Sequence, residues 1–215
     1  MTGNLATSIF STDTKAPQLK GEEVEKYDKI FDVRYTSLMR WAGDVTLAAT
    51  FRRVSVSLFY KLIQPDYMSM GVSYMNNNYH NAGIASNLRL GRLTIGGNFA
   101  YQEDNISGQQ LYTTRGLTYA ANASMPITEK LSASFNYNGF MQRQYDGTAQ
   151  VVDSTRIDRN MNSYTGTVSY NTNTETLGHG VSLTANYSIN EDNNRTTAGA
   201  GDVGTLAAGA SYSLS

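Results

Sequence analysis

Val54-Ser55-Val56-Ser57-Leu58-Phe59-Tyr60 is the stretch whose reading decides the fold class of this chain. Successive side chains of a β-strand point to opposite faces, so Val54, Val56, Leu58 and Tyr60 share one face and mostly small polar groups share the other. The same period of two returns in Leu93-Thr94-Ile95-Gly96-Gly97-Asn98-Phe99-Ala100-Tyr101 and in Leu131-Ser132-Ala133-Ser134-Phe135-Asn136-Tyr137. It returns again in Val181-Ser182-Leu183-Thr184-Ala185-Asn186-Tyr187 and in Leu206-Ala207-Ala208-Gly209-Ala210-Ser211-Tyr212. Segments of about ten residues with alternate apolar positions, finished by an aromatic, carry the pattern of membrane-spanning β-strands.

Composition agrees with that pattern. Charged residues make up 16% of the 215 positions, against roughly 25% in a soluble domain. Ser, Thr, Asn, Gly and Tyr fill the deficit. The mean hydropathy is −0.40, and no run approaches the ~18 apolar residues of a membrane helix. Alternation averages hydropathy away, so a barrel remains compatible with this value. The absence of cysteine removes disulfides and thiolate metal sites. A net charge of −1 leaves no basic footprint for nucleic acid. Met1-Thr2-Gly3-Asn4 has neither a basic n-region nor an apolar h-region. Because a barrel requires export, the sequence is read as a mature or excised chain.

The expected organisation is one domain over 1–215, an antiparallel transmembrane β-barrel of about twelve strands or a segment of a larger barrel protein. Strands are expected near 4–13, 29–38, 42–51, 53–63, 67–76, 81–90, 92–103, 112–125, 130–143, 160–172, 178–190 and 203–215. Gln64-Pro65-Asp66, Gly91 and Pro126-Ile127-Thr128-Glu129 read as short turns, whereas 103–111, 143–159 and 190–202 read as long polar loops. Short and long connections thus alternate over the second half, as in a barrel with short turns on one side and long loops on the other. Phe51-Arg52-Arg53-Val54 conflicts with a twelve-strand count, because its place requires a long loop and the segment is tight.

Under this assignment Tyr74, Tyr101, Tyr137 and Tyr187 end strands on one side of the membrane. Tyr60, Tyr170 and Tyr212 end strands on the other. Amphipathic rings favour the headgroup level, so these tyrosines are the candidate interface girdles. The opposite face carries Ser55, Ser57, Thr94, Asn98, Asn122, Asn136, Thr167, Thr184 and Asn186, the candidate lumen lining. A soluble surface needs Lys and Glu for solubility, and this face is nearly uncharged. Around eight strands fill a barrel with side chains and 16–18 leave a channel, so twelve strands with small residues inside imply a narrow polar lumen.

Tyr60-Lys-Leu-Ile-Gln-Pro65-Asp-Tyr67-Met-Ser-Met-Gly71, followed by Tyr74-Met75-Asn76-Asn77-Asn78-Tyr79 and Asn98-Phe99-Ala100-Tyr101-Gln102-Glu103-Asp104-Asn105, resembles a group of outer-membrane β-barrel proteins of Bacteroidota. The similarity runs over roughly residues 28–170. It implies a barrel in the outer membrane of a diderm bacterium, with the bilayer and its lipopolysaccharide as surroundings, and it implies no catalytic residues. The chain departs from many such barrels in ending Tyr212-Ser213-Leu214-Ser215 rather than on an aromatic. On its own terms the motif reads as a turn, because Pro65 fixes φ and Asp66 can bond its own backbone. Gly71 fits a bulge or bend.

Candidate chemistry is sparse. His80 and His179 are the two histidines and both read as turn residues without metal-ligand spacing. The acidic groups at 103–104, 153–158 and 191–192 lack the spacing of a calcium loop and read as solvated. Arg143, Arg156 and Arg159 interleave with Asp146, Asp153 and Asp158, which suggests loop ion pairs. The sequons at Asn105, Asn122, Asn186 and Asn194 follow from an Asn/Ser/Thr-rich composition. No glycine cluster precedes a helix that could cradle a phosphate. The sequence therefore points to a non-enzymatic barrel without cofactor or metal, acting as a narrow passive pore or as a scaffold for an envelope protein partner. The alternative from another class is a secreted or surface-attached β-sandwich adhesin that binds glycans or proteins. In that case the Val/Leu/Tyr face is a buried core.

Overall fold

The computed structural model describes residues 1–19, 31–69, 76–173, 177–194, 196 and 201–214. Its strands are β1 Thr2–Ser11, β2 Ser37–Thr50, β3 Val54–Ile63, β4 Tyr79–Leu90, β5 Leu93–Asp104, β6 Tyr112–Pro126, β7 Leu131–Asp146, β8 Asp158–Asn173, β9 Gly178–Asp192 and β10 Val203–Leu214. Each pairs antiparallel with its neighbours in sequence, giving one ten-stranded sheet ordered β1 to β10. Among the described residues there is no helix. The strands are longer than the alternation suggested: β7 continues to Asp146 and β8 begins at Asp158.

The connections alternate along the whole chain. Residues 51–53, 91–92, 127–130 and 174–177 join strands at one end, here the turn end. Residues 12–36, 64–78, 105–111, 147–157 and 193–202 join them at the other, the loop end. At the turn end, Gly91 opens the Gly91-Arg92 turn with φ +61°, a left-handed conformation that glycine adopts without steric cost.

Ten strands replace the expected twelve, and hydrogen bonds give the reason. The first missing strand, 29–38, has only one isolated bridge in its described part before β2, Gln18 with Arg34. Leu19 N–H bonds Val33 O, and Tyr35 N–H bonds Pro17 O, so this piece folds back within the β1–β2 connection. The second, 67–76, falls partly on 70–75, outside the described residues, and its described ends are irregular. Tyr67 N–H and Asn78 N–H both bond Gln64 O, so the segment leaves and returns to one carbonyl. Asp66 and Asn78 adopt φ +58° and +62°, which interrupts extended backbone at both borders. Gln64-Pro65-Asp66 is therefore the opening of a long connection rather than a short turn. With two strands fewer, Phe51-Arg52-Arg53 moves to the turn end, where a tight junction belongs, and Phe51 N–H bonds Val54 O at 2.7 Å.

Register sorts the side chains cleanly. Row partners Val45, Tyr60, Ala82, Tyr101, Leu117, Met141 lie on one face, together with Phe99, Phe135, Val168, Leu183, Leu206 and Tyr212. The rows also climb. The row of Gly3, near the turn end of β1, passes Val45 and Tyr60 and arrives at Glu191, next to the loop end of β9. That progressive stagger is the shear a tilted, closing sheet requires.

Each strand touches only its ladder neighbours, so among the described residues no second layer of strands covers either face. Among the described residues the buried apolar side chains are Ala16, Ile63, Tyr67 and Val151, all at the loop end.

Candidate functional site

The two faces of the sheet are the feature with functional content, and β9 displays them most plainly. Val181, Leu183, Ala185 and Tyr187 are exposed, whereas Ser182, Thr184, Asn186 and Ser188 are half-buried. A protein folded around an apolar core in water has the opposite order.

On the apolar face, Tyr119, Tyr137, Tyr164 and Tyr187 form a ladder across β6 to β9, with ring centroids 5.8, 4.9 and 6.2 Å apart. Such aromatic pairs add about 0.5–1.5 kcal/mol each beyond their area. Tyr119 lies across Gly139, whose missing side chain makes room for the ring. The hydroxyls have a direction. Tyr137 donates to Asn162 Oδ1 at 2.7 Å, Tyr119 reaches Asn160 and Asn162 at 3.4 Å, and Tyr101 donates to Glu103. The partners of Tyr137 and Tyr101 lie two residues nearer the loop end. Tyr212 points the other way, its hydroxyl 2.7 Å from His179 Nδ1 near the turn end. Polar tips thus diverge from the middle of the face.

Beyond the ladder, toward the loop end, this face turns polar. Arg115 bonds Glu103 at 3.2 Å and lies 4.6 Å over the Tyr145 ring. Arg143 pairs with Asp158 at 3.3 Å, and Asn160 donates to Glu191 at 3.1 Å. Arg156 pairs with Asp153 at 3.4 Å, so the interleaved charges near 143–159 resolve largely into local pairs.

Of the seven tyrosines singled out in the sequence, Tyr74 lies outside the described residues. Tyr60, Tyr101, Tyr137, Tyr170, Tyr187 and Tyr212 all share the apolar face. Tyr60 was expected on the side of Tyr170 and Tyr212. Because β3 runs toward the loop end, it sits instead with Tyr101, the two rings flanking His80 at centroid distances of 6.3 and 6.0 Å. Tyr137 and Tyr187 stand well inside β7 and β9 and mark the border of the apolar band rather than strand ends. Both histidines are strand residues, second in β4 and second in β9, not turn residues. Tyr119 and Tyr164 were not anticipated. Their signal was available, since each shares parity with apolar neighbours (Leu117 and Ala121; Gly166 and Val168).

Ser55, Ser57, Thr94, Asn98, Asn122, Asn136, Thr167, Thr184 and Asn186 are brought together on the opposite face. They bond sideways: Thr167 to Thr184 at 3.2 Å, Ser169 to Ser182 at 3.2 Å and Asn186 to Thr165 at 2.8 Å. Between the strand ends, Arg159, second in β8 and opposite Asp192 at the end of β9, is the charged group that the described residues of β5 to β10 place on this face. Across β2 and β3, Asp44 and Lys61 stand opposite each other, and the Asn4 amide bonds Asp44 at 3.2 Å.

Buried asparagines stitch the loop end. Asn78 exchanges bonds with Ser107 at 3.1 and 3.0 Å, Asn105 holds Thr113 and Gln110, and Asn194 holds Arg156 O at 2.8 Å. Asn105 and Asn194 are therefore structural, committed to neighbouring connections.

No protein-family model matches the sequence, and no curated protein matches it. Among solved structures, the chain is similar to OmpT (in-vitro folded), an outer membrane protein of Vibrio cholerae, with 13% identity over 99% of this chain and 74% of that one and a TM-score of 0.46. The trimer form of OmpT aligns with 12% identity over 82% of this chain and 59% of that one, with a TM-score of 0.43.

Proposed function

We propose that this chain spans a bacterial outer membrane as a closed antiparallel β-barrel with a structural or passive-transport role and no catalysis. The observation that carries this reading is the inversion of the two faces. Leu183 and Tyr187 are exposed while Thr184 and Asn186 are half-buried, an order stable only where apolar surface meets a nonaqueous surrounding. The diverging tyrosine hydroxyls support it, because an amphipathic ring at an interface turns its polar tip away from the hydrocarbon. Lipid and lipopolysaccharide then surround Phe99, Phe135, Val168 and Leu183. The Arg115–Glu103 and Arg143–Asp158 pairs lie at the level of the outer headgroups. Small residues such as Gly96, Ala120 and Gly209 on the polar face leave a narrow lumen suited to small neutral solutes, and the stitched loop end offers a firm rim to an envelope partner. The sandwich adhesin is the weaker reading, since among the described residues no strand packs on the Val/Leu/Tyr face.

The test is refolding into detergent, with unboiled and boiled samples compared on SDS gels, followed by swelling of loaded vesicles in sugars and in salts. A heat-modifiable β-rich species that admits small sugars is the expected outcome. A species monodisperse in water without detergent would overturn the membrane reading. A heat-modifiable barrel that admits nothing would leave the scaffold role alone.

A further inference from the structure

The two edges of the sheet carry the next step, which rests on the membrane reading. β10 is exposed along its whole length, and among the described residues neither β1 nor β10 has a strand on its outer side. Each unpaired backbone group costs several kcal/mol in hydrocarbon, so these edges need a partner.

Hydrogen bonds in the sheet say which residues offer their backbone outward. Polar-face residues exchange bonds across β3–β4 and β7–β8, as in Arg89 N–H to Arg53 O and Asn171 N–H to Lys130 O. Apolar-face residues exchange them across β2–β3 and β8–β9, as in Phe51 N–H to Val54 O and Asn193 N–H to Asp158 O. Antiparallel ladders alternate in this way. Continued to the edges, the outward groups of β1 belong to Gly3, Leu5, Thr7, Ile9 and Ser11, and those of β10 to Leu206, Ala208, Ala210, Tyr212 and Leu214. Both sets lie on the apolar face, and the two strands run in opposite directions, so they match as an antiparallel pair.

The stagger selects the register. The row through Gly3 reaches Glu191, and the β9–β10 register carries it on to the level of Asp202. Ten strands about 4.8 Å apart, rising about 3.3 Å per residue and tilted about 35–45°, require a total slip of roughly 10–14 residues. Parity admits only even slips, because an odd one exchanges the faces. The central value places Gly3 opposite Leu214, and with it the residues of β1 from Gly3 to Ser11 find partners between 206 and 214.

We infer that β1 and β10 of the same chain pair with each other, closing the barrel with Leu5 opposite Tyr212 and Ile9 opposite Ala208. On the polar face the register sets Ala6 opposite Ser211 and Ser8 opposite Gly209, both non-hydrogen-bonded pairs. Their Cα atoms then lie about 4.5 Å apart, within the range a disulfide spans.

The absence of native cysteine makes the test direct. Full-length chains carrying Ala6→Cys with Ser211→Cys, and separately Ser8→Cys with Gly209→Cys, are refolded in detergent and oxidised. Chains carrying Ala6→Cys with Gly209→Cys or with Ser213→Cys report slips of two residues. Heat-modifiability is scored for each before oxidation. The two matched pairs are expected to form intramolecular disulfides at least about tenfold faster than the slipped pairs, whose Cα atoms lie beyond disulfide reach. Preferential bonding of a slipped pair overturns the register. Disulfide-linked dimers assign the edge to a second copy, and heat-modifiable chains that never cross-link place further strands between β1 and β10. Either result overturns the inference while leaving the membrane reading standing. If no variant and no parent chain is heat-modifiable, the membrane reading itself fails and the closure with it.

Discussion

The two faces of β7, β8 and β9 share one backbone and solve opposite problems. On one, Tyr137, Tyr164 and Tyr187 stack at 4.9 and 6.2 Å and stand exposed or half-buried beside Phe135, Val168 and Leu183. On the other, Thr167, Thr184, Thr165 and Asn186 bond one another from strand to strand. Among the described residues no strand packs on the apolar face, so its stability depends on what surrounds it. The polar face carries its own hydrogen-bond partners and depends on the register. Ordering here comes from the ladder, with the environment supplying what a core supplies elsewhere.

The largest effect is expected when one charge is moved from the polar face to the apolar one. If the proposed membrane surrounds this face, Leu183→Arg puts a guanidinium in hydrocarbon, where an arginine costs up to about 2–4 kcal/mol. Thr184→Arg puts the same group on the polar face and is expected to cost under about 1 kcal/mol. Equilibrium unfolding in phospholipid vesicles measures both. Equal costs for the two variants would mean that the faces do not see different media.

The second perturbation acts on the ladder. A Cβ at Gly139 collides with the Tyr119 ring, so Gly139→Ala displaces that ring and loses its contacts toward Asn160 and Asn162. Overpacking of this kind costs typically 1–3 kcal/mol. Adding Tyr119→Ala removes the collision, and the double variant should fall short of the summed single costs by about 0.5 kcal/mol or more, measured as a double-mutant cycle. Strict additivity would dissociate the glycine from the ring.

Much of this architecture was legible in the sequence because parity survives without tertiary information. The alternation in Val54–Tyr60 and in Val181–Tyr187 set the faces, and every chosen lumen residue lies on the polar one. What was hidden depended on where the backbone sends its hydrogen bonds. Residues 67–76 alternate like a strand, yet the N–H groups of Tyr67 and Asn78 share Gln64 O, and composition carries no trace of that. Removing this segment also reversed the direction assigned to β3 and moved Tyr60 to the loop end. The parity of Tyr119 and Tyr164 was readable, but their stacking with Tyr137 and Tyr187 was not: a ladder belongs to register, and register is a relation between strands. The direction of the tyrosine hydroxyls was likewise unreadable, since it depends on Asn162 arriving from β8 beside Tyr137 of β7.

A smaller effect is expected where a single hydroxyl is deleted from the ladder. Tyr137→Phe keeps the ring stack and removes the 2.7 Å bond to Asn162. An interfacial site lets water or a headgroup take the donor's place, so the expected cost is about 0.5–1.5 kcal/mol. Asn162→Leu should cost no more than that in vesicles, because the asparagine sits at the polar border of the band. A much larger loss would place Tyr137 deeper than the interface and remove it from the girdle.

The smallest effect is the most informative about the polar face and the lumen proposed for it. Thr167 and Thr184 share a hydroxyl contact of 3.2 Å on the polar face. Thr184→Val deletes one partner and leaves the other hydroxyl to find a new one. In a lumen filled with water, Thr167 bonds solvent and the expected cost is a few tenths of a kcal/mol. In a lumen closed by packed side chains, the orphaned hydroxyl carries a desolvation cost of about 1–3 kcal/mol. The double change Thr167→Val with Thr184→Val separates the two cases further, since replacing both partners in a dry site recovers most of that loss, whereas in a wet one it only adds apolar surface to water. Unfolding of the single and double variants in the same vesicles therefore reads the hydration of the polar face directly. A single-variant cost near zero fits the proposed passive lumen, and a cost above about 1 kcal/mol that the double variant relieves would make the polar face a packed structural element.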